Sequence, residues 1–141
     1  MLRVIDTETC DLQGGVVEIA SVDVVDGQIT NPMSHLVRPD RPISPQAMAI
    51  HRITEAMVVN QPWIEEIVPH YQGSHFYVAH NASFDRRVLP AMQVDWICTM
   101  KLSRRLWPGL NYSTMPLYKS RHLDAATLPG LHPPPAPSAL L

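Results

Sequence analysis

The chain has 141 residues, a formal net charge of −2, 45% hydrophobic and 17% charged residues, which suits one domain that buries its own core. No apolar run reaches the roughly 18 residues of a membrane span, and the N-terminus shows no long apolar stretch of the signal-peptide kind. The two cysteines, Cys10 and Cys98, make no disulfide framework, so a reduced, cytoplasmic protein is expected.

In chain order, Leu2-Arg3-Val4-Ile5 reads as a short buried strand ending at Asp6-Thr7-Glu8. Gly14-Gly15 reads as a turn, and the β-branched stretch Val16 to Val25 as a second strand. Asp26-Gly27 is a hairpin-turn signal, which sends Gln28 to Arg38 back as a third strand. Ser44-Pro45 opens a short helix to about His51, with serine as N-cap and proline at the first helical position. Thr54-Glu55-Ala56-Met57 starts a second helix. A third fits Pro62 to Tyr71, where Trp63, Ile64, Ile67 and Val68 fall at helical spacing. His75 to His80 is a fourth strand, followed by a helix capped by Ser83 and stopped by Pro90. Trp96 to Thr99 is a fifth strand, and Met100 to Leu106 a basic helix. One more helix is expected near Met115 to Arg121. The sum is an α/β domain with a mixed central sheet flanked by helices. From Pro129 to Leu141 five of thirteen residues are proline, which predicts a polyproline-like or disordered end.

Charge is unevenly spread. Residues 1–85 hold four Lys/Arg and eleven Asp/Glu, and residues 86–141 hold seven Lys/Arg and two Asp/Glu. An acidic half suited to cations beside a basic half suited to polyanions points toward nucleic acid, with ordinary solvated faces as the competing reading. Asp6 and Glu8 are two apart on a strand, so they share a face, and their oxygens suit Mg²⁺ or Mn²⁺. Asp85 falls in the first turn of a helix just after a strand, where the helix dipole alone would also favour an acid. Three carboxylates from two strand ends can hold two cations about 3.5–4 Å apart, the arrangement that drives phosphoryl displacement by water. The seven histidines show no close-set zinc spacing.

Three segments in this order carry a family resemblance: Asp6-Thr7-Glu8-Thr9 after an apolar strand, Ile50-His51-Arg52-Ile53-Thr54, and His80-Asn81-Ala82-Ser83-Phe84-Asp85. Together they resemble the DEDD 3′–5′ exonucleases, the group of the DNA polymerase proofreading subunits. The resemblance implies a ribonuclease-H-like sheet and Mg²⁺-dependent release of nucleotides from single- or double-stranded DNA 3′ ends, in DNA repair. No membrane association is expected, and no protein partner is inferable from the sequence. Asp6 would bridge two ions, Glu8 would bind the ion that activates water, and Asp85 would bind the other. Thr7, Leu12, Ile50 and His51 would hold the terminal nucleotide, with Leu12 as a wedge against its base. Asn81 and Phe84 would shape the second motif next to the substrate.

The chain departs from the family at three places. Arg52 and Asp11 stand where relatives commonly carry glycine, and Asp11 is expected to disturb the loop before Leu12. The family's last motif, a helical His-x-x-x-x-Asp that supplies the general base and a fourth carboxylate, has no counterpart. His132 is followed by Pro133-Pro134-Pro135, and no acid follows Asp124. The expected organisation is an exonuclease domain over 1–131, lacking its C-terminal helix, and a proline-rich stretch over 132–141. A shift of reading frame after His132 would account for the change. Such a polypeptide is expected to be impaired in catalysis and marginal in stability. An RNA-directed exonuclease of the same family and a non-catalytic nucleic-acid-binding remnant are the alternatives.

Overall fold

The computed structural model describes residues 1–108. The expected helix at Met115 to Arg121, Asp124, His132 and the proline-rich stretch lie outside the described residues.

Five strands form one mixed sheet in the order β3-β2-β1-β4-β5. Strand β1 (Leu2–Asp11) pairs antiparallel with β2 (Gly14–Val25), which pairs antiparallel with β3 (Gln28–Leu36). On its other side β1 pairs parallel with β4 (Phe76–Ala79), and β4 pairs parallel with β5 (Trp96–Cys98). The helices are α1 (Pro45–His51), α2 (Glu55–Val58), α3 (Ile64–Ile67), α4 (Ala82–Val88) and α5 (Thr99–Leu106). None of them is long and apolar enough to cross a membrane.

Alternation along β1 and β2 sends side chains to two cores. Ile5, Ile19, Val37, Tyr71, Tyr77 and Leu89 pack together on one face. Cys10, Val17, Ile43, Ile53 and Val58 pack on the other. Burial in this second core pushes the Cys10 thiol up to about 11, with Glu55 and Asp11 adding to the effect. A charged pair is locked under the first core. Arg3 donates to both carboxylate oxygens of Asp23, at 2.7 and 2.9 Å, and also to the Gln72 carbonyl at 3.0 Å. Asn31 donates to the same carboxylate. This ties β1, β2 and the segment before β4 together.

Several expectations need correcting. Strand β1 does not end at Asp6-Thr7-Glu8 but runs on to Asp11, because antiparallel pairing with β2 continues to Asp11↔Gly14. The turn therefore falls at Leu12-Gln13, and Gly14 and Gly15 begin β2. The third helix breaks into α3 and a 3₁₀ turn over Val68–Tyr71, since Pro69 has no N–H to continue the α-helical ladder. Helix α4 is entered through Asn81 in the left-handed region (φ 68), with Ser83 already inside the helix donating to the Asn81 side chain.

Candidate active site

Parallel pairing of β1 with β4 covers only Leu2↔Phe76 to Val4↔Val78. Beyond it the edge of β1 is open on the β4 side, and α4 begins alongside. Asp6 and Glu8 therefore sit mid-strand, but at the carboxyl end of the parallel part of the sheet, where α/β sheets place their sites. Opposite Glu8 and Thr9 the β1–β2 register shifts, a bulge of the kind that re-aims side chains beside functional sites.

Asp6 is exposed, while Glu8 and Asp85 are buried at 8% and 4% exposure. Thr7 faces away from its two acidic neighbours, and its hydroxyl donates to Asp85 Oδ1 at 2.8 Å. Thr7 thus fixes the third carboxylate against β1. The sequence-based expectation that it contacts the nucleotide has no support in this contact. Among the described residues no three His, Cys, Asp or Glu side chains gather closely enough to hold a metal ion. The donor types still suit one: all three side chains offer carboxylate oxygens, the ligands that hard divalent cations take.

An open cleft of about 580 Å³ runs beside Glu8, walled by Leu12, Ile50, His51, Phe84 and Gln46. Five of the sequence-predicted residues thus line one cavity: Glu8, Leu12, Ile50, His51 and Phe84. Leu12 is 82% exposed and Ile50 70% exposed, so two apolar side chains project from opposite walls. Asp6, Asp85 and Asn81 are not among the lining residues. The left-handed backbone of Asn81, which asparagine tolerates well, turns the chain from β4 into α4 and so aims Phe84 and Asp85.

Local sequence explains each wall. The Asp11 carboxylate accepts from the Gln13 and Gly14 N–H groups at 2.6 and 3.1 Å, and Gly14 leaves the turn at φ 136. Asp11 therefore organises the tip that carries Leu12, contrary to the expected disturbance. On α1, Ser44 Oγ accepts from the Ala47 N–H at 3.1 Å, with Pro45 at the first position, as expected. His51 closes that helix onto β1. Its Nδ1 accepts from the Ile53 N–H at 3.0 Å, so its Nε2 carries the proton and donates to the Thr9 carbonyl at 3.2 Å. Both ring nitrogens are engaged, so His51 ties the end of α1 to β1 and forms part of the cleft wall. Arg52 then leaves the helix at φ 64, which accounts physically for the family's glycine at this place.

Arg87 was not anticipated. It donates to the Leu12 carbonyl at 2.9 Å and lies over the Phe84 ring at 5.2 Å, joining two walls of the cleft. The spacing of Phe84 and Arg87, three apart on one helix, was the available signal.

The sheet order, with acids on the central strand and at the head of the helix that follows its parallel neighbour, is the architecture of the ribonuclease-H-like class. An exonuclease family model matches residues 4–128. The chain is 77% identical over 132 residues to exodeoxyribonuclease 10 of Escherichia coli K12, covering 94% of this chain and 60% of that protein. It is 37% identical over 125 residues to the PolC-type DNA polymerase III of Thermotoga petrophila, covering 78% of this chain and 9% of that one. Among solved structures, exonuclease X in complex with 5′-overhanging duplex DNA superposes with a TM-score of 0.81 at 77% identity, covering 94% of this chain and 80% of that one. A product-bound exonuclease I, at 13% identity and a TM-score of 0.60, covers 78% of this chain and 33% of that chain and shares the fold. The chain belongs to the exonuclease family. It spans 60% of the length of the curated exodeoxyribonuclease it matches.

Proposed function

We propose that this chain carries the substrate-binding part and three of the four carboxylates of a 3′–5′ exodeoxyribonuclease. The observation that carries the reading is the cleft beside Glu8, with Leu12, Ile50 and Phe84 on its walls. An apolar cleft of that size suits one terminal nucleotide, its base meeting Leu12 and its phosphate directed at the carboxylates. The similarity to an exodeoxyribonuclease and to a DNA-bound exonuclease supports DNA over RNA.

Asp6, Glu8 and Asp85 would hold two Mg²⁺ ions, with Mn²⁺ as substitute, after adjustment of their side chains. Bound there, the ions would make water nucleophilic near neutral pH and neutralise charge on the transferred phosphoryl group. Thr7 keeps Asp85 at the β1 edge, and Leu12 and Ile50 orient the terminal base. In the hydrolysis, a water oxygen attacks the last phosphorus, and the bond to the 3′ oxygen of the preceding nucleotide breaks. The proton released by the water needs an acceptor. In the family that acceptor is the His of a helical His-x-x-x-x-Asp, whereas here His132 is followed by Pro133-Pro134-Pro135. The prolines are incompatible with a helical His-x-x-x-x-Asp. Residues 1–131 are therefore the exonuclease portion and 132–141 depart from it. Assayed as a 141-residue polypeptide, the sequence should therefore be slow.

End-labelled DNA tests this. With Mg²⁺, the polypeptide should release label from 3′ ends at least about 100-fold more slowly than the exodeoxyribonuclease it resembles, as expected for loss of a general base. Asp85→Asn should remove the residual release. Release at the relative's rate would overturn the impairment, and residual release unchanged in Asp85→Asn would overturn the site.

A further inference from the structure

The fold brings together two histidines that lie far apart in the chain. His35 stands on β3, the outermost strand of the described sheet, in register with Ile19 of β2. His70 stands in the 3₁₀ turn over Val68–Tyr71. Their rings lie nearly parallel, tilted by 14°, with centroids 5.7 Å apart. His35 also meets the edge of the Tyr71 ring at 5.6 Å between centroids, and its Nδ1 is 2.8 Å from the Tyr71 hydroxyl oxygen. His70 is exposed and His35 half-buried, so the pair opens to solvent. It lies two strands away from β1, which carries Asp6 and Glu8.

Two imidazoles in contact can be simple packing. The hydrogen bonds beneath them argue for more. Tyr71 donates its single hydroxyl hydrogen to the Ile19 carbonyl at 2.9 Å, and burial holds the phenol in its protonated form. Its oxygen can therefore only accept from His35, so Nδ1 carries the His35 proton and Nε2 keeps a lone pair. One nitrogen donating to a fixed oxygen, with the other left basic, is the usual state of a histidine that ligates metal. The ring spacing fits as well. Zinc holds an imidazole nitrogen at about 2.0–2.1 Å, which puts two rings on one tetrahedral ion roughly 5 Å apart between centroids. The observed 5.7 Å is close to this, and a turn of the exposed His70 side chain brings its nitrogen onto the same point. Imidazole suits borderline transition metals, whereas carboxylates suit Mg²⁺ and Mn²⁺. Among the described residues no third His, Cys, Asp or Glu side chain completes a set with these two.

We propose that His35 and His70 form a two-histidine site for a borderline divalent ion of the Zn²⁺ or Cu²⁺ kind, with water in the remaining positions. The His35 Nε2 is one donor and a ring nitrogen of His70 is the other. The bound ion ties β3 to the turn that precedes β4. With only two protein ligands the ion exchanges readily, and occupancy follows the supply of metal. The site is independent of the carboxylates and of the function proposed above.

Electron paramagnetic resonance of the full 141-residue chain with up to one equivalent of Cu²⁺, in excess Mg²⁺, tests this. Coupling to two imidazole nitrogens should appear, a pattern that carboxylate ligands do not produce. His35→Gln and His70→Gln should each remove it. Each should weaken Cu²⁺ binding by at least about tenfold, the smallest loss seen even when only a ligand's supporting partner is removed. His70 is exposed, so His70→Gln should keep the fold, and a urea midpoint near that of the unaltered chain checks it. Zn²⁺ should raise the unfolding temperature of the unaltered chain, because it binds the folded form, and should do so less in either variant. Absence of two-nitrogen coupling in the unaltered chain would overturn the site. Coupling that survives in both variants, or that is lost in His75→Gln instead, would show adventitious binding and would overturn it too.

Discussion

At the residue scale, two side chains show how local chemistry is set. Arg52 ends α1 in the left-handed region, where a Cβ is crowded and glycine is not. Arg52→Gly should raise stability by about 0.5–1 kcal/mol, the relief of strain exceeding the added freedom of the unfolded chain, read from the urea midpoint. Asp23 is held below the usual carboxylate range mainly by its hydrogen bonds from Arg3, helped by Asn31 and the Arg3 charge and opposed by burial. A lowered native value makes its contribution fully present above the ordinary aspartate value of about 3.9 and lost as pH falls through the native one. Asp23→Asn should cost roughly 3 kcal/mol at pH 7, because Arg3 stays buried without its counter-charge. Chemical denaturation across pH should show that difference shrinking below about pH 4. A constant difference down to acid would show that the carboxylate charge is not the source.

At the element scale, α1 and the β1–β2 turn set the two walls of the cleft. Ser44→Ala removes the acceptor for the Ala47 N–H and should cost about 1 kcal/mol. Because α1 carries Ile50 and His51, the same variant should weaken binding of a short single-stranded DNA, measured by anisotropy. Helix α1 was legible in the sequence because serine, proline and the end at His51 are local signals. The length of β1 was not, because its extension past Glu8 to Asp11 is decided by pairing with β2, whose first residues are the glycines expected to form the turn. The expected third helix failed at Pro69 for a reason visible in the sequence, the missing N–H. The cap of α4 was misassigned because the helix begins two residues earlier than Ser83 suggests, at Asn81 in the left-handed region.

At the scale of the whole molecule, the site depends on where the sheet changes pairing. Asp6 and Glu8 lie on the central strand just past the last parallel pair with β4, and Asp85 lies on the helix that leaves β4. The identity of the acids was legible as a pattern. Their arrangement was not: the hydroxyl of Thr7, between the two acids of β1, donates to Asp85, a contact that no local pattern shows. Arg87 went unnoticed because its partners, Leu12 and Phe84, meet only in the fold. The central claim is that the three carboxylates hold divalent cations at a DNA 3′ terminus. The direct measurement is Mn²⁺ titration of the 141-residue chain, followed by electron paramagnetic resonance, with and without a short DNA strand. Mn²⁺ should bind, bind more tightly with the strand present, and lose at least about tenfold in affinity in Asp6→Asn, Glu8→Gln and Asp85→Asn, since each removes a charged ligand. Mn²⁺ binding that is unchanged in all three variants would contradict the account.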